Sequence, residues 1–329
     1  MTYLLRRAGG RSLARSRGNR AALGAAMSIA LLALLAPRVA GAFCRTTTTP
    51  IPANYSPSRG CFTDGFVLFW KSACVGYSVN TQASSTVPLA TATSVIDQAF
   101  ATWNGVACAG GNVGIATSNL GPVECTEVRY NPNGPNQNVI VFRDDTWPYS
   151  DPNNTLGLTT VTFNADTGEI YDADMEINAT AKNLSTSTAT PANGFDLLSV
   201  ITHEAGHFLG LAHATSATAT MYASYKPGTS TLRTLTPDDT AGICEIYPSA
   251  VGRTVDKTVA ASGTLAADAC DSTPRHGFGS TCAENPNPAG SDSGGGCAVA
   301  AGDAGGGTAS LVALGAGLLV ALRRRRRAA

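Results

Sequence analysis

The sequence predicts an α+β domain, and three observations carry that expectation. Several segments dense in aromatic and β-branched residues read as strands before residue 180. An apolar helix beginning near residue 195 follows them and contains His203, Glu204 and His207. The run Thr236-Pro237-Asp238-Asp239 then has the N-cap, proline and first-turn acids that open a last helix.

Residues 66–79 read as the first strand with its lead-in, being rich in aromatic and branched side chains. Residues 93–106 read as an amphipathic helix. Val95, Ile96, Ala99, Phe100 and Trp103 recur at helical spacing, and Asp97, Gln98 and Asn104 fall outside that stripe. Residues 138–142, 156–163 and 170–178 read as three further strands, the last with an alternating pattern. The next helix starts near Phe195, with the Asp196 carboxylate beside its unpaired first amides and Leu197, Leu198, Val200 and Ile201 facing a core. Residues 242–247 complete the final helix, and the domain ends at about Pro248.

The chain is organised around the eleven residues from His203 to His213. On a helix, His203 and His207 lie one above the other, at the spacing where two imidazoles bind one metal ion. Glu204 sits beside the first ligand, where its carboxylate can take a proton from water activated by the ion. Gly210 allows a sharp turn after the helix, and His213 then swings back as a third ligand. Three imidazoles leave a fourth position open, the arrangement of a catalytic rather than a structural zinc. The chain has four histidines and three stand at these positions, which weighs against an ordinary helix with satisfied core histidines.

The spacing H-E-x-x-H-x-x-G-x-x-H with a later methionine, here Met221, resembles the metzincin zinc-protease signature. Residues 221–225 and 235–243 resemble the Met-turn and last helix of the matrixin branch. Related branches place a metal-binding tyrosine two residues after the methionine; Ala223 stands there, so a fifth protein ligand is not expected. The resemblance covers about residues 43–248 and implies a mixed, twisted sheet with the zinc below its edge. It also implies a zinc-dependent endopeptidase with Glu204 as general base, acting on a protein or peptide substrate. By the same resemblance Gly157, Leu158, Thr159 and Thr160 form the edge where a substrate adds as an antiparallel strand, and Tyr222 to Tyr225 line the pocket after the cleaved bond. The matrixin pattern has proline where Ala223 stands, a departure that bears on the shape of that pocket. The histidines of the second, structural zinc of vertebrate matrixins have no counterpart in this chain. Asp144, Asp145, Asp166, Asp172, Asp174 and Glu176 could hold Ca2+ through oxygen ligands, or form a solvated loop and strand face.

With 43% hydrophobic residues among 329, and 23 basic against 23 acidic side chains, the chain can bury a sizeable core and has no basic footprint for nucleic acid. Residues 1–20 carry six arginines, and an apolar run and then Val39-Ala40-Gly41-Ala42 follow, so residues 1–42 read as a secretory signal cut after Ala42. Export fits the nine cysteines. Cys108 with Cys125 is the expected pair, Cys61 in Ser58-Arg59-Gly60-Cys61 is expected to be half of a disulfide, and Cys270 with Cys282 could staple a small loop. Roughly twenty residues separate the cleavage site from the first domain segment, too few for a folded prodomain.

Residues 249–307 shift to Ala, Gly, Ser, Pro and Asp and read as linker, with His276 a solvated loop residue. A cysteine in a Gly-rich stretch, Cys297, then precedes an apolar span at 308–322 and arginines at 323–327, all within a terminal segment running to 329. This tail resembles the myxobacterial carboxy-terminal sorting signal, which implies processing near Cys297, lipid attachment there, and cell-surface or outer-membrane display. The catalytic domain is expected to be monomeric. Two other functions use the same residues: a non-catalytic surface binding module, which the intact Glu204 opposes, and a zinc amidase acting on cell-wall peptides.

Overall fold

Strands rich in branched and aromatic residues assemble one mixed sheet that carries the rest of the domain. A computed structural model describes residues 42–52, 54–180, 183–249, 252–254, 264–266, 271–282, 295–297 and 300–301. The sheet strands are β1 (Cys74–Asn80), β2 (Ala116–Val123), β3 (Val139–Arg143), β4 (Gly157–Phe163) and β5 (Ile170–Asn178). Two short strands, β6 (Ser224–Tyr225) and β7 (Gly295–Cys297), and a third, β8 (Ala300–Ala301), lie later in the chain. The sheet order is β7-β4-β5-β3-β1-β2. β5, β3, β1 and β2 run parallel in turn, whereas β4 lies antiparallel to β5 and pairs Gly157 with Ile177 and Thr159 with Met175. Every residue of β1 is buried, as expected of a strand covered on both faces.

Helix α1 (Leu89–Asn104) and helix α2 (Leu197–Phe208) pack on this sheet. The α1 stripe of Ala92, Ile96, Ala99, Phe100 and Trp103 is buried, as its spacing predicts, but the helix begins four residues earlier than expected, directly after Pro88. Tyr77 of β1 stacks on Phe100 at 4.2 Å between ring centroids, and Phe100 meets Phe208 edge-on at 5.1 Å. Trp103 donates its indole N–H to the Thr202 carbonyl at 2.8 Å, and Trp70 donates to that of Phe208 at 2.8 Å. Two indoles thus tie α2 to its surroundings through main-chain oxygens. Burial of rings such as Phe100 and Phe208 stabilises the fold by about 1.5–3 kcal/mol each. The Asp196 carboxylate caps α2 by accepting from the Ser199 amide at 2.8 Å. Helix α3 (Pro237–Ile246) opens with a full capping box between Thr236 and Asp239.

The expected Cys108–Cys125 bridge does not form. Cys108 pairs with Cys244 and Cys125 with Cys282, which also rules out a Cys270–Cys282 staple. Between 108 and 125 runs the eight-residue strand β2, and at about 3.3 Å per residue it carries the second cysteine far beyond disulfide reach of the first. That strand is missing from the sequence expectation, because Gly121-Pro122 and polar side chains hide an edge strand, the one place where proline is tolerated. Cys61 is half of a disulfide, with Cys44.

Residues 271–282 lie within the stretch read as linker, yet they are fastened to the domain. Besides Cys282, Asn136 donates to the Arg275 carbonyl at 2.7 Å, Arg275 lies over the Tyr171 ring at 3.9 Å, and the exposed His276 reaches the Tyr130 hydroxyl at 2.8 Å. Residues 1–41, Cys270 and the span and arginines of 308–329 lie outside the described residues. Among the described residues no helix is long and apolar enough to cross a membrane.

Candidate metal centre

Helix α2 presents His203 and His207 from one face, with their Nε2 atoms 3.1 Å apart. Each ring is fixed from behind. Nδ1 of His203 faces the Thr220 carbonyl at 2.6 Å, and Nδ1 of His207 faces the Leu211 carbonyl at 2.8 Å. A carbonyl only accepts, so each Nδ1 carries the hydrogen and each Nε2 presents a bare lone pair. Both rings are buried. Burial, together with its histidine neighbours, holds His203 down to about 3 and His207 well below the usual imidazole range, so both are neutral.

After α2 the chain turns at Gly210, whose φ of +95° suits glycine; a Cβ there would lie 2.9 Å from the Leu68 carbonyl oxygen. Residues Leu211–Ala212 then pair with Cys44–Arg45, the segment bridged through Cys61, and this short ladder delivers His213. The His213 ring lies 4.8 Å from that of His207 and 5.3 Å from that of His203, and the three ligand nitrogens fall within 4.8 Å of one another. Tetrahedral zinc with Zn–N near 2.05 Å places ligand nitrogens about 3.3 Å apart. Two neutral imidazoles aiming lone pairs at each other repel, and a cation removes that repulsion. The donor set therefore fits zinc, and it is the one group of three such ligands among the described residues.

Glu204 is buried under β4. Thr159 donates its hydroxyl to Glu204 Oε2 at 2.7 Å and also lies 3.2 Å from the Glu204 carbonyl oxygen. Gly157 leaves the room for this, since a Cβ at that position would stand 2.8 Å from Oε1. Leu158 and Thr160, half-buried, alternate to the other face of the strand, so only their main chain can serve the cleft side.

Met221 lies beneath α2, its sulfur against Gly206. The turn holding it is gripped by Asp239, which accepts from the amides of Thr220 at 2.8 Å and Met221 at 3.0 Å while it caps α3. Asp239 thereby fixes the carbonyl that orients His203. Sequence reasoning saw Asp239 only as a first-turn acid, and Thr159 only as a main-chain contact. Tyr222 bridges to Ala214; Tyr225 is buried, with its hydroxyl donated to the Thr229 carbonyl and its ring 6.2 Å from Phe195. Cys297 is opposite Thr159 in the β7–β4 ladder.

The acidic side chains of β5 do not form a solvated face. Asp174 accepts from the Val139 amide at 2.7 Å, Glu176 takes Arg143 Nε at 2.6 Å and the Tyr149 hydroxyl, and Asp172 and Asp174 hydrogen-bond each other in the interior. Asp144 accepts from Ser84 and Ser85 instead of joining them.

Comparison with known proteins follows the same residues. Rat matrilysin is 35% identical over 103 residues, 31% of this chain and 35% of that protein. Metalloendoproteinase 1 of Glycine max is 38% identical over 104 residues, 31% of this chain and 32% of the relative. Metalloendoproteinase 1-MMP of Arabidopsis thaliana is 50% identical over 52 residues, 16% of this chain and 14% of that protein. The matched part thus spans about a third or less of these curated relatives. The matrixin family as a whole matches residues 69–248, more than half of the chain, and takes in α2, His213, Met221 and α3. With the three imidazoles, the glutamate and the methionine in these positions, the chain belongs to the matrixin family.

Proposed function

We propose that the chain is an exported zinc-dependent endopeptidase acting on proteins or peptides outside the cell. The observation that carries this is the convergence of three imidazole nitrogens beside a buried carboxylate held by Thr159. His203, His207 and His213 would hold the ion. When bound, Zn2+ supplies a Lewis acid that lowers the pKa of water toward neutrality and polarises a carbonyl.

The chain's own residues do the rest. Glu204 takes one proton from the attacking water as its oxygen bonds to the peptide carbonyl carbon, and later gives that proton to the departing nitrogen as the C–N bond breaks. Thr159 holds the carboxylate through Oε2. Gly157, Leu158, Thr159 and Thr160 would orient the substrate by main-chain hydrogen bonds, with Tyr222 to Tyr225 forming the opposite wall. The leader and the tail around Cys297 would carry the protein to the cell surface.

The test uses the full chain, with casein and a quenched-peptide library as substrates, under zinc, under chelator, and as Glu204→Gln. Hydrolysis lost in both controls and restored by zinc is the expected result. A folded, zinc-loaded chain that cut no peptide but bound a surface partner, or released only cell-wall fragments, would overturn the endopeptidase reading.

A further inference from the structure

Two strands from the end of the chain meet the two walls of the cleft. β7 pairs antiparallel with β4, setting Gly295 opposite Val161, Gly296 opposite Thr160 and Cys297 opposite Thr159. β8 pairs parallel with β6, setting Ala300 opposite Ser224 and Ala301 opposite Tyr225. Thr159 holds Glu204, and β6 begins three residues after Met221. Three residue steps separate Cys297 from Ala300, a reach of about 10 Å. One short length of chain therefore touches both walls, antiparallel to one and parallel to the other.

We propose that the edge of β4 and the strand β6 form a docking surface for an extended peptide, and that its occupants in the intact chain are the chain's own strands β7 and β8. This rests on reading that path as the substrate's. Without β7, β4 would end the sheet with a free row of N–H and C=O groups, a template for any added strand. Segment 295–301 is Gly-Gly-Cys-Ala-Val-Ala-Ala, without proline, charge or bulk, so main-chain bonding is open to it throughout.

The occupant is suited to being displaced. Glycines weaken a strand, so its intrinsic affinity for the edge is low. What keeps it there is the tether: Cys282 is bonded to Cys125, and thirteen residue steps link it to Gly295. A tether of that length gives an effective concentration in the millimolar range, far above the micromolar protein itself. Cutting the tether frees the edge without changing a residue of the cleft.

The experiment uses the full chain with a recognition sequence for a site-specific protease inserted between Asn287 and Pro288. Amide exchange of residues 157–163 and hydrolysis of a quenched peptide are followed before and after the cut. Exchange should rise about tenfold on cutting, with kcat/KM rising in step, as the tail dilutes from millimolar to micromolar. Gly296→Pro and Cys297→Pro, made separately in the uncut chain, should differ: successive N–H groups point to opposite sides, so one of the two removes a ladder bond and raises exchange. Unchanged exchange at 157–163 after the cut overturns the proposal, whatever the activity. If exchange rises and neither form cuts any peptide, tail docking stands and the endopeptidase reading fails.

Discussion

Thr159 and Glu204 are joined across the cleft by a hydroxyl-to-carboxylate hydrogen bond of 2.7 Å, both groups buried. A base that must take and give a proton in one orientation gains from losing rotational freedom. Thr159→Val keeps the shape and deletes the donor. The expected result is a kcat lowered about tenfold, with KM and zinc content unchanged, since charge-assisted hydrogen bonds contribute roughly 1.5–3 kcal/mol. Steady-state kinetics with metal analysis checks it, and an unchanged kcat would remove Thr159 from the positioning role.

Asp239 carries the Met-turn. Its Oδ2 accepts from the amides of Thr220 and Thr236, both at 2.8 Å, and Oδ1 accepts from Met221. Asp239→Asn turns an NH2 group toward N–H donors, leaving buried amides unsatisfied at a cost of about 1–3 kcal/mol. Because Thr220 orients His203, zinc affinity should also fall, by about 10–100-fold as for other partners of metal ligands. Competition titration with a coloured chelator reads the second effect separately from thermal unfolding. A stability loss with unaltered zinc affinity would confine Asp239 to a capping role.

The difference between these two residues and the histidines explains what was legible in the sequence. His203, His207, Glu204 and His213 are set by local helical spacing and one glycine turn, and spacing is visible in a string. Thr159 lies 45 positions from Glu204, and Asp239 lies 19 from Thr220. Such contacts depend on strand register and on where a later helix docks, which no local pattern encodes. The same holds for the disulfides. Cys108 and Cys244 meet because α3 returns to the hairpin at residues 107–112, at a sequence separation of 136. Helices α1 and α2 and strands β3 to β5 follow their patterns closely, whereas β2 depends on its neighbour β1 for an extended form that its own residues disfavour.

Gly206 should be intolerant of a change that usually helps a helix. Replacing an interior helical glycine by alanine ordinarily gains about 1 kcal/mol. Here the added Cβ would lie 2.2 Å from Met221 Sδ and 2.9 Å from Trp103 Cζ2, both in the core. Overpacking of this kind costs roughly 1–3 kcal/mol and wins over propensity. Up to about 2 kcal/mol of net loss remains, so Gly206→Ala is expected to lower Tm by up to about 8 °C at 2–4 °C per kcal/mol for a domain of this size. Calorimetry of the zinc-loaded chain decides the sign, and a raised Tm would show that Met221 gives way freely.

The Asp172–Asp174 pair makes a prediction with a pH sign. Burial pushes Asp172 up to about 6, and burial with the Asp172 charge beside it lifts Asp174 well above the usual carboxylate range. The folded chain thus holds protons that the unfolded chain gives up near 3.8. A raised folded-state value means stability that is fully present below 3.8 and lost as pH rises through about 6. Asp172→Asn keeps an oxygen for the Asn138 amide and presents a fixed donor to Asp174, so it should flatten this dependence. Between pH 4 and pH 7 the native chain should lose on the order of 2 kcal/mol relative to the variant. Urea unfolding of both zinc-loaded proteins measures the difference, in which contributions shared by the two proteins, the histidines included, cancel. Parallel stability curves for the two would mean that the pair carries no shared proton.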